Sequence, residues 1–141
     1  MSNATWWRDV TSTGLNHSLG IEVIELGRDR VVATMPVDGR THQPFGILHG
    51  GASIALAETA ASLGAAGRID REQFTAVGQE INGNHLRALS EGVVTATAVP
   101  VHVGRSSQVW SIEIRDEARR LICIARCTIA IVPRTHAPRP A

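Results

Sequence analysis

Seventeen consecutive residues, Gly50 to Ala66, contain no proline and a single charged side chain, Glu58. The run reads Gly-Gly-Ala-Ser-Ile-Ala-Leu-Ala-Glu-Thr-Ala-Ala-Ser-Leu-Gly-Ala-Ala and stops at Gly67. Alanine and leucine are strong helix formers, so the run predicts one long α-helix. It is apolar nearly all round, and such a helix needs cover on every side. The rest of the chain must therefore wrap it.

The flanking segments supply the wrapping. Ile21 to Leu26 and Arg30 to Pro36 read as strands joined by the turn residues Gly27-Arg28-Asp29. Asp38 to Leu48 is irregular. Beyond a second loop, Arg68 to Gln73, come four strand-like segments: Thr75 to Leu86, Gly92 to Val103, Gln108 to Arg115 and Leu121 to Val132. Asp116 to Arg119 reads as a hairpin turn. Trp6 to Val10 is expected to be a short helical lead-in, followed by a loop around Gly14 and Gly20. The order predicts an α+β fold, an antiparallel sheet wrapped around one buried central helix. Open sheet edges in such a unit invite pairing with a second copy. A length of 141 residues suits one domain, with a lead-in over about residues 1–18 and a frayed Pro-rich tail over about 133–141.

Charge and composition narrow the function. A net charge of +1 makes no electrostatic case for nucleic acid or a membrane surface. No apolar run approaches the roughly 18 residues of a membrane span, and no signal-peptide pattern opens the chain, so a cytoplasmic location is expected. The absence of lysine excludes Schiff-base chemistry. Cys123 and Cys127 are four positions apart on a strand, roughly 13 Å. That exceeds the ~7 Å limit for a disulfide and predicts two buried thiols. No His or Cys spacing fits a metal site, and no cofactor is expected.

The chemistry concentrates at the start of the helix. Glu58 is expensive to bury without a partner. Either it reaches a helix end or an arginine, or it is a desolvated carboxylate suited to general-base or nucleophilic work. The first-turn amides of Gly50 and Gly51 are expected to be free donors at the positive end of the helix dipole, able to hold an oxyanion. Gly50 and Glu58 lie eight residues apart, about 12 Å along a helix, too far to meet at one carbonyl. If both act on one substrate, a two-fold dimer must set Gly50 of one subunit beside Glu58 of the other. On the strand that follows the second loop, alternation puts Gln79, Ile81, Gly83, His85 and Arg87 on one face and Glu80, Asn82 and Asn84 on the other. Neither face is dry, which predicts a substrate-lining or interface strand.

The stretch His42-Gln-Pro-Phe-Gly46-x-x-His49-Gly50-Gly51 with Glu58 resembles the hotdog-fold thioesterases. The similarity is greatest to the bacterial branch of 1,4-dihydroxy-2-naphthoyl-CoA, enterobactin-proofreading and phenylacetate-pathway thioesterases. It spans about residues 15–132 and takes in Gln79 to His85 and His102 to Trp110. The resemblance implies hydrolysis of an acyl-CoA thioester with an aromatic acyl group of hydroxybenzoyl or hydroxynaphthoyl type, CoA being part of the substrate. A carrier-protein thioester presents the same pantetheine. The resemblance also implies roles. Glu58 attacks the carbonyl or activates water, Gly50 polarises the carbonyl, Gln43 orients it, His49 assists the departing sulfur, and Ser62 holds water or substrate. His85 is implied at the acyl group. Homodimers with composite sites, and tetramers of them, are expected.

Each residue also has a plain structural reading. His49 could cap the helix, Gln43 brace the loop, Gly50 serve the turn, and Ser62 bond back to the backbone. Gly104, Arg105, Ser106 and Ser107 form a turn at least; an arginine and hydroxyls there also suit CoA phosphates, with Arg87 a weaker candidate. Two other functions compete: a hotdog dehydratase or hydratase, and a non-catalytic acyl-CoA-binding module.

Overall fold

A computed structural model describes residues 5–136. The expected tail lies, from residue 137 on, outside them. A 3-10 helix, Trp6–Thr11, and a short helix α1, Gly14–Leu19, lead into β1, Glu22–Leu26, and β2, Val31–Pro36. The long helix α2, Gly50–Ala66, follows, and then β3, Phe74–His85; β4, Val93–Val103; β5, Ser107–Arg115; and β6, Leu121–Pro133. All strand pairings are antiparallel, in one sheet ordered β1-β2-β4-β5-β6-β3.

The sheet curls around α2 as the apolar pattern requires. Inward side chains alternate along the strands: Val31, Ala33 and Met35 on β2; Val94, Ala96 and Ala98 on β4; Trp110, Ile112 and Ile114 on β5. They close on Leu56, Ala57, Ala60 and Ala61 of the helix. Trp110 lies flat beneath Gly64, where a Cβ would stand 2.5 Å from its ring. Its indole N–H donates to Gln108 Oε1 at 3.0 Å, so the two buried polar groups satisfy one another. Cys123 and Cys127 are free, buried thiols on the inner face of β6, as expected.

Three expectations need correction. First, the segment around Gly14 and Gly20 contains α1. Gly20, in the left-handed region at φ 70°, ends it: the Gly20 and Ile21 amides donate to His17 O and Asn16 O. Second, α2 is not covered all round within one chain. Gly51, Ile54, Ala55, Glu58, Thr59, Ser62 and Ala66 form a stripe that stays exposed or half-exposed. Third, the alternation along β3 breaks at a bulge between Gly78 and Glu80, where Gly78 pairs with Ile129 but Glu80 pairs with Thr128. Gln79 is the extra residue. Gly78 therefore shares the helix-facing side with Ile81 and Gly83, a parity that simple alternation cannot give.

The bulged strand is also the sheet edge. Among the described residues β3 pairs only with β6, and its other side is open along twelve residues.

Candidate active site

The irregular segment before α2 is held tightly at both ends. Asp38 accepts from the Arg40 guanidinium, and the hydrogen bonds from the Arg40 side chain and backbone hold its carboxyl down to about 2. The His49 amide donates to Thr41 O and the Leu48 amide to Leu89 O, fixing the entry to the helix. Gln43 Oε1 accepts from the Phe45 amide, and the Gln43 amide donates to Ile47 O. The loop-bracing role is thus real, and it leaves the side-chain NH2 of Gln43 as the free donor. His49 is the N-cap: its Nδ1 accepts from the Gly51 amide at 2.8 Å. In the neutral ring the proton then sits on Nε2, which faces outward as a donor from an exposed side chain. Gly51 is therefore not the free donor expected of it; the cap consumes its N–H. The Gly50 amide has no partner among the described residues.

His85, from the end of β3, packs directly on Gly50. A Cβ there would stand 2.7 Å from His85 Nε2, so only glycine admits both the ring and a ligand at the amide. Gln43, Gly50, His85 and Arg87 share a cleft of about 380 Å³, walled by Ile47, Leu48, Leu86 and Ile122.

Glu58 lies about two turns further along, at the middle of α2. It is half-buried and makes no ion pair or hydrogen bond among the described residues, so the arginine-paired reading fails. Its carboxylate rests against the bare backbone of Gly78, where a methyl group would overlap Oε1. On the sheet beneath, burial and the charges of Glu58 and Glu80 push the Cys127 thiol up to about 12. Ser62 stands one turn beyond Glu58, and its hydroxyl has no partner among the described residues. The back-bond that is the structural alternative for Ser62 forms instead at Thr59, whose hydroxyl contacts Ala55 O at 2.7 Å and Asn16 Oδ1 at 2.9 Å. Glu58 and Ser62 sit in a groove of about 410 Å³ whose far wall is Trp6, Val10 and Leu15. Arg71 covers the Trp6 ring at 3.8 Å.

Within one chain, then, the candidates divide. Gln43, Gly50, His85 and Arg87 gather at the N-terminal end of α2, Glu58 and Ser62 lie from its middle onward, and His49 lines a separate cleft with Gly51, Leu15 and Leu19. The turn Gly104 to Ser107 is closed by the Gly104 amide on Ser107 O and tied to β6 by the Ile131 amide on Ser106 O. It lies two strands from Val77, through Ala130, and so near the Glu58 end of the sheet. Arg105 and Ser106 are exposed there. No cluster of three metal-ligating side chains occurs among the described residues, and none of their helices is long and apolar enough to cross a membrane.

Sequence reasoning missed Gly78 as the niche for Glu58, and Ser53, a buried hydroxyl at the first cleft. A glycine inside a strand is a signal for close approach, and Ser53 falls one turn from Gly50 on the same face. The side chains of the lead-in that wall the Glu58 groove carried no signal.

Comparison with known proteins agrees with this geometry. Residues 45–123 match the model of the thioesterase superfamily. The chain is 49% identical, over 84% of its length and 95% of the relative's, to the 1,4-dihydroxy-2-naphthoyl-CoA hydrolase of Listeria monocytogenes. It is 48% identical, over 90% and 98%, to the proofreading thioesterase EntH of Cronobacter turicensis. The crystal structure of a mutant thioesterase PA1618 from Pseudomonas aeruginosa superposes with a TM-score of 0.89 at 41% identity, covering 94% of this chain and 96% of that one. With its six-stranded sheet curled around one helix that carries Gly50 and Glu58, the chain belongs to the thioesterase superfamily of hotdog-fold thioester hydrolases.

Proposed function

We propose that the chain hydrolyses the thioester of an aromatic acyl-CoA, releasing the free acid and the thiol, at composite sites in a homodimer. One observation carries this reading: among the described residues the Gly50 amide and the Glu58 carboxylate have no partner, and they lie on one helix but in separate clefts. A second copy added along the open edge of β3 supplies the missing half of each. The sheet's outer face carries Val99 and Ile124 exposed, which favours pairing of such dimers into tetramers.

In the composite site the thioester carbonyl accepts from the Gly50 amide, with the Gln43 NH2 as a second donor. Glu58 of the other subunit then acts in one of two ways. Attack by its carboxylate forms an acyl-enzyme anhydride, breaks the C–S bond and is completed by water. Alternatively it takes a proton from water that attacks the carbonyl. In both routes the sulfur leaves with the electron pair of the C–S bond, and the His49 Nε2–H is the proposed donor of its proton. Ser62 holds the water. Arg105, Ser106, Ser107 and Gly104, with Arg87, offer donors to the nucleotide phosphates. No cofactor enters the scheme. A carrier-protein thioester fits the same chemistry, and the expected location is the cytoplasm.

The test is release of free thiol from benzoyl-, hydroxybenzoyl-, phenylacetyl-, hydroxynaphthoyl- and aliphatic CoA thioesters by wild type, Glu58→Ala, Glu58→Gln and His49→Ala. Wild type is expected to release thiol and both folded Glu58 variants to lose nearly all of it. No release from any substrate, or full activity in Glu58→Ala, would falsify the reading. A single turnover in labelled water identifies the anhydride route when label enters the Glu58 carboxylate, which water attack on the thioester itself never labels.

A further inference from the structure

Ser53 is 1% exposed and lies on the floor of the cleft that holds Gly50 and Gln43. Its amide donates to His49 O, but its hydroxyl makes no hydrogen bond among the described residues. Thr41, equally buried nearby, is a useful contrast: its hydroxyl accepts from the Asp38 amide at 3.1 Å and donates to Pro36 O at 2.8 Å. A hydroxyl buried without a partner is destabilising. Among the described residues no fully enclosed side-chain nitrogen or oxygen lacks one. The hydroxyl is therefore the part of Ser53 that meets open space, and that space is the cleft.

The rest of the lining is mixed: Gln43, His85 and Arg87 are polar, and Ser53 is the one residue among them that carries a hydroxyl. Ile47, Leu48, Leu86 and Ile122 form its walls. A cleft with apolar walls and a few convergent polar groups accepts an apolar group bearing hydrogen-bonding substituents, and the Ser53 hydroxyl is one of the groups such a substituent would meet. Ser53 is three residues beyond Gly50, a rise of about 4.5 Å. A carbonyl held on the Gly50 amide thus places the substituent close to the acyl carbon, at the near positions of a ring.

We propose that Ser53 is a specificity-determining residue: its hydroxyl binds a ring hydroxyl, ortho or meta to the acyl carbon, and selects hydroxylated aromatic acyl groups over unsubstituted ones. The inference rests on the hydrolase reading above and deepens it. Ser53 takes no part in bond breaking.

The experiment measures kcat/KM for benzoyl-CoA and its 2-, 3- and 4-hydroxy derivatives with wild type, Ser53→Ala and Ser53→Cys. Alanine is at home in this helix, so the variant folds; thermal unfolding checks it. Wild type is expected to prefer the 2- or 3-hydroxy substrate over benzoyl-CoA by about tenfold, the worth of one hydrogen bond. Ser53→Ala should abolish that preference and leave benzoyl-CoA turnover within about twofold of wild type. Ser53→Cys, which keeps the volume and weakens the donor, should follow it. No preference in wild type, or a preference that survives in Ser53→Ala, or an equal slowing of all four substrates, overturns the proposal while hydrolysis itself stands. If wild type cleaves no thioester at all, the hydrolase reading falls and takes this proposal with it.

Discussion

The carboxylate of Glu58 rests on the backbone of Gly78, at a point where any side chain would displace it. The bulge beside Gly78 makes the contact possible, because it turns Gly78 toward the helix while Gln79 is extruded. The site therefore depends on a glycine whose role is to be absent. Gly78→Ala is expected to lower kcat by about a hundredfold, since a misplacement near 1 Å has that effect on an oriented reacting group. KM should stay within about threefold, the Gly50 cleft being untouched. Gly83→Ala is the control. Its Cβ would meet Ile54 Cδ1 at 2.6 Å, so it should lower the melting temperature but leave kcat largely intact. Equal loss of kcat in the two variants would show that Gly78 matters only for packing.

Glu58 itself should add nothing to stability. It makes no ion pair or hydrogen bond among the described residues, so replacing the carboxylate by the amide breaks none. Glu58→Gln is expected to melt at the same temperature as wild type or a few degrees higher while losing activity. A clear drop in melting temperature, measured by calorimetry, would mean that the carboxylate has a partner in the assembled protein.

The fold was readable because its signals are local and repeated. The alanine-rich run from Gly50, the Val/Thr/Ala content of β4 and the alternation in β5 and β6 each extend over many residues, and the helix bounds match. The six-residue α1 left no such trace; it is too short for a period and is ended by Gly20 alone. The bulge in β3 escaped for another reason. It adds one residue to a polar edge strand, where neither face is dry enough to register a change of parity. At the site, an isolated carboxylate in an alanine-rich helix stood out, and so did the glycines before it. What a sequence cannot display is an unfilled requirement, such as the missing partner of the Ser53 hydroxyl or the bare backbone under Glu58. The cap that consumes the Gly51 amide was legible as an alternative role for His49, but the choice needed the 2.8 Å contact.

Cys127 provides a probe of the Glu58 neighbourhood. Burial, reinforced by the charges of Glu58 and Glu80, raises its thiol to about 12, so almost no thiolate exists at pH 8. The native protein should resist a thiol reagent at both cysteines, Cys123 also being raised by burial, and should react fully in denaturant. Glu58→Gln removes one of the negative charges and should move the Cys127 thiol downward. Rapid modification of native wild type at pH 8 would contradict this arrangement.

Asp38 ties the acid limit of the pre-helix segment to Arg40. Its folded pKa, about 2, is depressed below the unfolded carboxylate value near 3.9. The stabilising contribution is therefore complete above pH ~4 and is lost as pH falls through about 2. Arg40→Gln should be less stable than wild type by a constant amount at neutral pH, and the gap should close between pH ~4 and ~2. Denaturant melts across that range measure it. A gap that persists unchanged to pH 2 would assign the effect to packing of the arginine.

The division of candidates between two clefts makes the composite site directly testable. Gln43→Ala damages the Gly50 cleft of a chain and Glu58→Ala the Glu58 groove, and each homodimer carries two damaged sites. In a mixed dimer, one site receives both lesions and the other receives none. Random reassortment of equal amounts makes about half of the dimers mixed, each with one intact site of two, so activity should recover to about a quarter of wild type. Unfolding and refolding the two variants together, against each refolded alone, performs the exchange. If Gln43 and Glu58 served one site within a single chain, every chain in the mixture would still carry a lesion in its own site, and no activity would return. Recovery thus distinguishes sharing between subunits from an arrangement in which α2 bends or the clefts merge, and it does so without any knowledge of the preferred acyl group.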